Sequence, residues 1–313
     1  MKTKIALLCI ALPVISGFFA CSDSTIYDPG YSLDIVYPAI DRYPAWSPDG
    51  SRIIFGHLHV TDIGEEGAYQ FDHDRTGLWI VNADGTGARL LLKARYPSQG
   101  EWSHDGKRIA ASVFPDIWAF EISGNLIELG SLKQLTSKGK NFSPSWSPDG
   151  IWIAYNTTAA GRLHDINRMR WDGKDKRLIR IGGIYPHWSP VDDRITFEWW
   201  QTHGGSEVYI TYVEGLDYTQ ITSMPNCAMF PKFSPDGSRI AFISDWAVWI
   251  VDADGSNLTL VTEGVVGEGL AWSPDGTYIV FSKEDTENLY NNGTLWITDV
   301  RGSSLRQLTL PTR

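Results

Sequence analysis

The pentad Trp46-Ser-Pro-Asp-Gly50 decides the fold, because it recurs five more times at intervals of about 39–56 residues. The other copies are Trp102-Ser-His-Asp-Gly106, Trp146-Ser-Pro-Asp-Gly150, Trp188-Ser-Pro-Val-Asp-Asp193, Phe233-Ser-Pro-Asp-Gly237 and Trp272-Ser-Pro-Asp-Gly276. Proline presets φ for a tight turn, aspartate caps the amides of that turn, and glycine takes its left-handed position. Each pentad is therefore a turn, and six copies indicate six structural units.

Short apolar runs with a period of two follow every pentad, and this period predicts β-strands. In the first unit they are Arg52-Ile-Ile-Phe55 and Leu78-Trp-Ile-Val81, and a closing run such as Lys133-Gln-Leu-Thr136 ends a unit. Together with the run that enters the pentad, each unit has four short strands, which is typical of a propeller blade. The sequence predicts an all-β fold, a six-bladed β-propeller of four-stranded antiparallel blades over residues 41–313.

Tryptophan marks two positions of the repeat, and nine of the 14 tryptophans occupy them. The nine are Trp46, Trp102, Trp146, Trp188 and Trp272 in the pentads, and Trp79, Trp118, Trp249 and Trp296 in the third strands. A large apolar ring at a fixed place in a thin sheet suits burial against the next sheet. We predict that these side chains form the core between blades.

The repeat resembles that of the TolB-type propeller, and the resemblance extends from Tyr43 to about Thr309. It implies the fold and an envelope compartment. TolB also has an α/β domain before its propeller, and this sequence shows no such domain, so TolB's partners and export role do not follow. The fourth pentad departs from the pattern with Val-Asp-Asp in place of Asp-Gly, which predicts a turn that is one residue longer.

The N-terminal segment predicts export and a lipid anchor. Lys2 and Lys4 precede an uncharged apolar run, which makes residues 1–20 a secretory signal. The run ends beside Cys21 and resembles a bacterial lipobox, so Cys21 is predicted to carry lipid and hold the domain at a periplasmic or outer-membrane surface. The alternative is ordinary secretion with Cys21 as a free thiol. Residues 21–40 are predicted to form a tether, in which residues 32–36 could add a latch strand to the last blade.

Charge and motifs limit the function. A net charge of −10 argues against nucleic acid as the main partner. The sequence contains no Gly-x-Ser-x-Gly elbow, no phosphate-binding loop and no cysteine pair for zinc. These absences favour a binding protein over an enzyme, and the fold requires no cofactor.

Candidate binding residues come from the segments that lead into the first strands, near the central opening. This group contains Tyr43, Phe142, Tyr185, Phe230, His187 and Lys232. An aromatic, partly charged opening suits a peptide segment or a sugar ring. The alternative is that these aromatic rings only pack loops against each other.

A second group of candidates is Trp199, Trp200 and His203, which lie outside the register of the repeat. Blade packing therefore does not explain both indoles, although adjacent residues on a strand point to opposite faces, so one of them could belong to the core. We place this group at the central opening, on the face where the loops that join second to third strands and one blade to the next differ between units.

The histidines leave open the alternative that the protein binds a divalent metal. His57 and His59 form a His-x-His pair in the longest insertion, which is rich in acidic residues, and His203 is a third candidate ligand. A solvated loop without metal explains the same residues. The sequence thus predicts a monomeric, lipid-anchored propeller that binds an envelope protein or peptide. The alternative is a carbohydrate-active propeller, either a metal-assisted polysaccharide lyase or a sugar binder, because some similar propellers are lyases with a histidine-held metal.

Overall fold

Every regular element of the described chain is a β-strand. A computed structural model describes residues 39–63, 69–96, 98–158, 164–201, 205–214, 217–284 and 293–309. Within these ranges there is no helix. The described residues therefore contain no helix that is long and apolar enough to cross a membrane. The predicted signal segment, Cys21 and the predicted latch at residues 32–36 lie outside the described residues.

The first three blades follow one another along the chain. Blade 1 contains β1 (Ala39–Trp46), β2 (Arg52–Ile63), β3 (Tyr69–Phe71), β4 (Gly77–Asn82) and β5 (Arg89–Lys93). Blade 2 contains β6 (Gly100–Trp102), β7 (Arg108–Val113), β8 (Asp116–Ser123), β9 (Leu126–Ile127) and β10 (Lys133–Gln134). Blade 3 contains β11 (Lys140–Trp146), β12 (Trp152–Thr158), β13 (Asp165–Arg170) and β14 (Arg177–Ile181).

The last three blades have four strands each. Blade 4 contains β15 (Ile184–Trp188), β16 (Arg194–Gln201), β17 (Gly205–Tyr212) and β18 (Tyr218–Gln220). Blade 5 contains β19 (Met229–Phe233), β20 (Arg239–Ser244), β21 (Ala247–Asp252) and β22 (Thr259–Glu263). Blade 6 contains β23 (Val265–Trp272), β24 (Tyr278–Glu284), β25 (Gly293–Asp299) and β26 (Leu305–Gln307).

The six sheets form a closed ring. Within each sheet, strands that are neighbours in sequence pair antiparallel, with β3 and β9 as short additions to blades 1 and 2. The first strands β1, β6, β11, β15, β19 and β23 contact one another in this order, and β23 contacts β1. The first strand of every blade therefore lines the central axis. This confirms the predicted six-bladed propeller.

The pentads are turns held by a serine and an aspartate. The Ser47 hydroxyl donates to Asp49 Oδ1 (2.5 Å), and the Arg52 backbone N–H donates to Ser47 Oγ (2.9 Å). The hydrogen bond from Ser47 is the largest of the effects that lower the pKa of Asp49 to about 2. The same serine–aspartate contact recurs at Ser103–Asp105, Ser147–Asp149, Ser234–Asp236 and Ser273–Asp275.

The fourth pentad has the same length as the others, so the prediction of a longer turn is wrong. Five residues separate Trp188 from Arg194, as five separate Trp46 from Arg52. The Ser189 N–H donates to the Arg194 carbonyl at 2.8 Å, as in the first pentad. The sequence therefore substitutes residues within this turn and inserts none.

Five of the six pentad aromatics are buried between blades, as predicted: Trp102, Trp146, Trp188, Phe233 and Trp272. The other predicted core tryptophans, Trp46, Trp79, Trp118, Trp249 and Trp296, are only half-buried. Of these, Trp46, Trp79, Trp249 and Trp296 pack against the core clusters.

The arginine that begins a second strand adds a contact that sequence reasoning did not use. Its guanidinium lies over the pentad aromatic of the next blade, with Cζ-to-ring distances of 4.9 Å for Arg52 and Trp102, 5.2 Å for Arg194 and Phe233, and 4.9 Å for Arg239 and Trp272. Such cation–π contacts stabilise the packing of neighbouring blades at the end of the blades where the pentads lie.

Candidate functional site

Two faces of the ring differ in their connections. The six pentads and the turns between third and fourth strands lie at one end of the blades, here named the pentad face. The connections between second and third strands and those between blades lie at the other end, here named the loop face. Variable loops on a rigid scaffold are the usual place for binding residues, so the loop face and the axis were predicted to hold the site.

The axis is lined by residues in a left-handed conformation. Tyr43, Tyr185 and Phe230 have φ of 52°, 52° and 54°, and each lies at a register shift between the first and second strand of its blade. Non-glycine residues pay for this conformation, so neighbouring groups must hold it. Asn156 Oδ1 of blade 3 accepts the Tyr185 N–H of blade 4 at 2.8 Å. Each such bulge places its aromatic residue at the wall of the axial cavity.

The aromatic side chains of this group fill the axis. The ring centroids of Tyr185 and Phe230 lie 4.4 Å apart, and those of Tyr43 and Phe230 lie 6.3 Å apart. The Tyr43 hydroxyl donates to the carboxylate of Glu268. The cavity that remains between these side chains measures about 10 Å³, which is room for about one water molecule. A ligand larger than water would have to stay at the ends of the axis.

An ion pair crosses the axis next to the aromatic residues Tyr43, Tyr185 and Phe230. Lys232 of blade 5 and Glu101 of blade 2 come from opposite blades, and Lys232 Nζ lies 2.9 Å from Glu101 Oε2. His187 is on the neighbouring blade, and its Nδ1 accepts the backbone N–H of Phe233 at 3.1 Å. Its enclosure by protein and the charge of Lys232 hold the pKa of His187 well below its ordinary value. The predicted candidates His187 and Lys232 thus lie together at the axis, with Lys232 charge-paired.

Glu198 is a buried acid in the same region that sequence reasoning missed. It has no solvent exposure, and burial raises its pKa from 4.5 to about 8. The Ser206 hydroxyl, the Phe230 N–H and the Trp200 indole approach the carboxyl group and offset part of this effect, but neither oxygen has a well-formed hydrogen bond among the described residues. The signal was available in sequence, because Glu198 aligns with neutral residues such as Asn156 in the other second strands.

Trp199 and Trp200 pack in opposite directions. Trp199 contacts the core cluster between blades 3 and 4, with its ring 5.0 Å from that of Tyr218 and under the guanidinium of Arg180. Trp200 packs against the cluster that contains Tyr185 and Phe230. Both indoles are half-buried. The third member of this group, His203, lies outside the described residues.

The two histidines proposed as metal ligands lie on strand β2, which extends into the insertion as a hairpin with β3. His57 is buried, and its Nδ1 lies 2.7 Å from Asp41 Oδ1. His59 Nε2 lies 3.0 Å from Arg75 Nη1. Among the described residues no three histidine, cysteine or acidic side chains come together as a metal site would require. The strand, rather than a solvated loop, explains the spacing of His57 and His59.

An exposed tryptophan at the tip of blade 5 was also missed. Ser244 pairs with Ala247, so Asp245 and Trp246 alone form the turn between β20 and β21, on the loop face. Their φ values are 50° and 58°, as a type I′ turn requires. Trp246 is 57% exposed. Two signals could have revealed it: Trp246 is outside the repeat register, and the turn has no glycine.

Comparison with known proteins agrees with this architecture. The family described as the dipeptidyl peptidase IV N-terminal region matches residues 193–291. The uncharacterised protein Atu1656 of Agrobacterium fabrum is 32% identical over 279 residues, which cover 76% of this chain and 83% of that protein. A TolB homolog of Chlorobium luteolum is 30% identical over 139 residues, 42% of this chain, although these span only 29% of the homolog.

The crystal structure of TolB from Acinetobacter baumannii superimposes with a TM-score of 0.66 at 21% identity, over 88% of this chain and 64% of TolB. The chain belongs to the TolB-like β-propeller family. A manganese-bound oligogalacturonate lyase shares the fold of this TolB-like propeller, with a TM-score of 0.55 at 12% identity over 87% of this chain and 78% of the lyase.

Proposed function

We propose that this TolB-like propeller binds an envelope protein or peptide on its loop face, with Trp246 as the anchor. The observation that carries the proposal is a large aromatic side chain held in solvent by a strained turn. A left-handed conformation costs a non-glycine residue roughly 1–2 kcal/mol, and strain of this kind concentrates at binding sites. Tryptophan is also among the residues that dominate the energy of protein interfaces.

The filled axis supports a surface mode of binding. Tyr43, Tyr185 and Phe230 leave a cavity of about 10 Å³, so a partner would rest on the loop face and not thread through the ring. Trp200 and the Arg42–Glu268 ion pair lie on the loop-face side of these three aromatic residues. The Arg42 Nη1–Glu268 Oε1 distance is 3.0 Å. We propose that these residues surround the contact that Trp246 anchors.

Replacing Trp246 with glycine is expected to weaken partner binding at least tenfold without loss of stability. Removal of a central interface tryptophan typically costs 2 kcal/mol or more of binding energy, whereas glycine adopts the turn conformation freely. The bait is the full-length chain in detergent, with cross-linking to identify the partner and titration to measure the affinity. The control is Tyr278→Ala, which removes an exposed aromatic ring from the pentad face. Equal binding by both variants would contradict the proposal.

We also propose that the protein is anchored through lipid on Cys21, which the basic and apolar segment before it supports. A Cys21→Ser variant is expected to move from the membrane fraction to the soluble envelope fraction and to lose incorporation of labelled fatty acid. Incorporation that persists in this variant would show another site of modification.

The carbohydrate-active alternative has a separate readout. Metal analysis of the full chain purified without chelator would favour it if manganese or calcium were present at one equivalent and were lost in a His203→Ala variant. Retention of partner binding in the metal-free protein would favour the scaffold.

A further inference from the structure

A groove between blades 3 and 4 opens on the pentad face, where the repeat departs from its pattern on both sides. On blade 3, Trp152 takes the place of the arginine that begins the second strand in blades 1, 2, 4 and 5. On blade 4, Val191 and Asp192 take the places of the pentad's aspartate and glycine. Both departures border the same space.

Each of the other seams has at least one of two contacts, and these substitutions remove both. The pentad proline of one blade lies against the pentad glycine of the next at three seams, as Pro48 does at Gly106, Pro235 at Gly276 and Pro274 at Gly50. An arginine covers the next blade's pentad aromatic at four seams, from blade 1 to 2, 2 to 3, 4 to 5 and 5 to 6. Between blades 3 and 4 the glycine is Asp192 and the arginine is absent, so neither contact forms. The seam remains open as a groove of about 510 Å³, within the range of ligand sites.

The walls of the groove combine apolar and acidic groups. Trp152, Trp188, Pro148, Val191 and Val213 supply its apolar surface, and Val191 is 54% exposed. The groove is lined by four carboxylates, Asp149, Asp192, Asp193 and Glu214, and by Arg168. Asp192 is already paired, because Arg194 Nη2 lies 2.8 Å from its Oδ2. Because Arg168 Nη2 lies 2.6 Å from Glu214 Oε1, its charge is already neutralised. The negative charge that remains beside the exposed apolar surface is that of Asp149 and Asp193, for which the described residues supply no ion pair.

We propose that this groove binds an extended peptide segment in which an arginine or lysine stands next to an apolar side chain. The apolar side chain contacts Val191 and Trp152, and the cation lies among the carboxylates of Asp149 and Asp193. A mixed surface of this kind selects a basic, partly apolar segment by charge complementarity. The site lies on the opposite face from Trp246, so it does not depend on the function proposed above.

The probe is a fluorescein-labelled acetyl-Leu-Arg-Leu-Arg-amide peptide, titrated into the full-length chain in detergent and followed by fluorescence anisotropy. We expect saturable binding that weakens as salt is raised, because the contact is partly exposed. Trp152→Arg introduces the residue of blades 1, 2, 4 and 5 and is designed to close the seam, so it should weaken binding at least tenfold. Asp193→Asn should weaken binding severalfold, and it changes an exposed side chain that the fold does not need.

The matched controls separate the groove from general charge. Asp254→Asn removes an exposed carboxylate from a turn of blade 5 and should leave binding unchanged, as should Trp246→Gly. A peptide with glutamate in place of arginine should not bind. The proposal is overturned if the arginine peptide fails to bind, if it binds Trp152→Arg as well as the parent, or if Asp254→Asn weakens it as much as Asp193→Asn.

Discussion

Replacing Asp41 with alanine is expected to lower the free energy of unfolding by about 3–5 kcal/mol. Asp41 lies at the seam where the last blade meets the first. Its carboxyl group lies 2.7 Å from His57 Nδ1 and accepts a hydrogen bond from the Thr309 hydroxyl at 2.6 Å. Thr309 Oγ1 in turn accepts the Leu295 N–H at 2.9 Å. The side chains of Asp41, His57 and Thr309 are buried, so alanine would leave His57 Nδ1 without its partner and the Thr309 hydroxyl without an acceptor for its proton.

The expected effect of Asp41→Ala is large because, among the described residues, no strand of blade 6 belongs to the sheet of blade 1. The ring is therefore closed at this seam by contacts between side chains and turns. Each described blade is built from consecutive strands, so side chains and turns must hold blade 6 to blade 1. Arg306 Nη2 donates to the Ala83 carbonyl at 2.9 Å across the same seam. Chemical unfolding by urea, followed by tryptophan fluorescence, measures the change in unfolding free energy.

Two variants make the measurement specific. Thr309→Val removes one of the two partners and should cost less than Asp41→Ala, and the double variant should be less destabilising than the sum of the two. Glu263→Ala, at an exposed strand end, should change stability by no more than about 0.5 kcal/mol. If Asp41→Ala resembles this surface control, the buried network does not hold the seam.

Glu198→Gln is expected to stabilise the protein by about 3 kcal/mol at pH 7 and by progressively less as the pH is lowered to 4. The folded protein raises the pKa of Glu198 from 4.5 to about 8 because the carboxyl group is buried. It therefore holds the proton more tightly than the unfolded chain does. The contribution of Glu198 to stability is full below pH 4.5, falls as the pH rises toward 8, and is constant at higher pH.

The pH dependence distinguishes this effect from a change in packing. Glutamine is neutral and similar in shape, so its amide costs or gains the same amount at every pH. The difference in unfolding free energy between Glu198→Gln and the parent should therefore grow between pH 4.5 and 8. A difference that does not vary over this range would show that Glu198 ionises in the folded state near its ordinary pKa. Glu101→Gln is not a suitable control, since Glu101 is paired with Lys232; Glu263→Gln, on an exposed strand end, is suitable.

The axial group was predictable in part. Tyr43, Tyr185 and Phe230 were expected at the central opening because they lie in the segments that lead into the first strands, and the structure brings them together there. It was not predictable that their side chains fill the axis. This packing depends on left-handed residues at β-bulges, whose backbone is stabilised by hydrogen bonds from a neighbouring blade. A residue such as Asn156 acts on Tyr185 29 positions away, and no local pattern contains that contact.

For Trp246 and the groove between blades 3 and 4, the sequence also did not show how the side chains would be packed. The sequence displays Trp152, Val191 and Trp246 as departures from the repeat, but a departure alone does not distinguish a buried side chain from an exposed one. Exposure is decided by what the neighbouring blade presents. At the tip of its turn Trp246 stays 57% exposed, and at Trp152 the missing arginine and glycine leave a space.

The sequence by itself determined the blade count, the strand order and the pentad turns, because these follow from a short-range pattern written six times in contiguous chain. Only the tertiary structure decided that the axis is filled, that Glu198 is buried with no well-formed partner among the described residues, that Asp41 joins the first blade to the last, and that one seam stays open. These features arise between blades that are dozens to hundreds of residues apart, where the free energy depends on shape and solvent exclusion in three dimensions and not on the order of neighbouring residues.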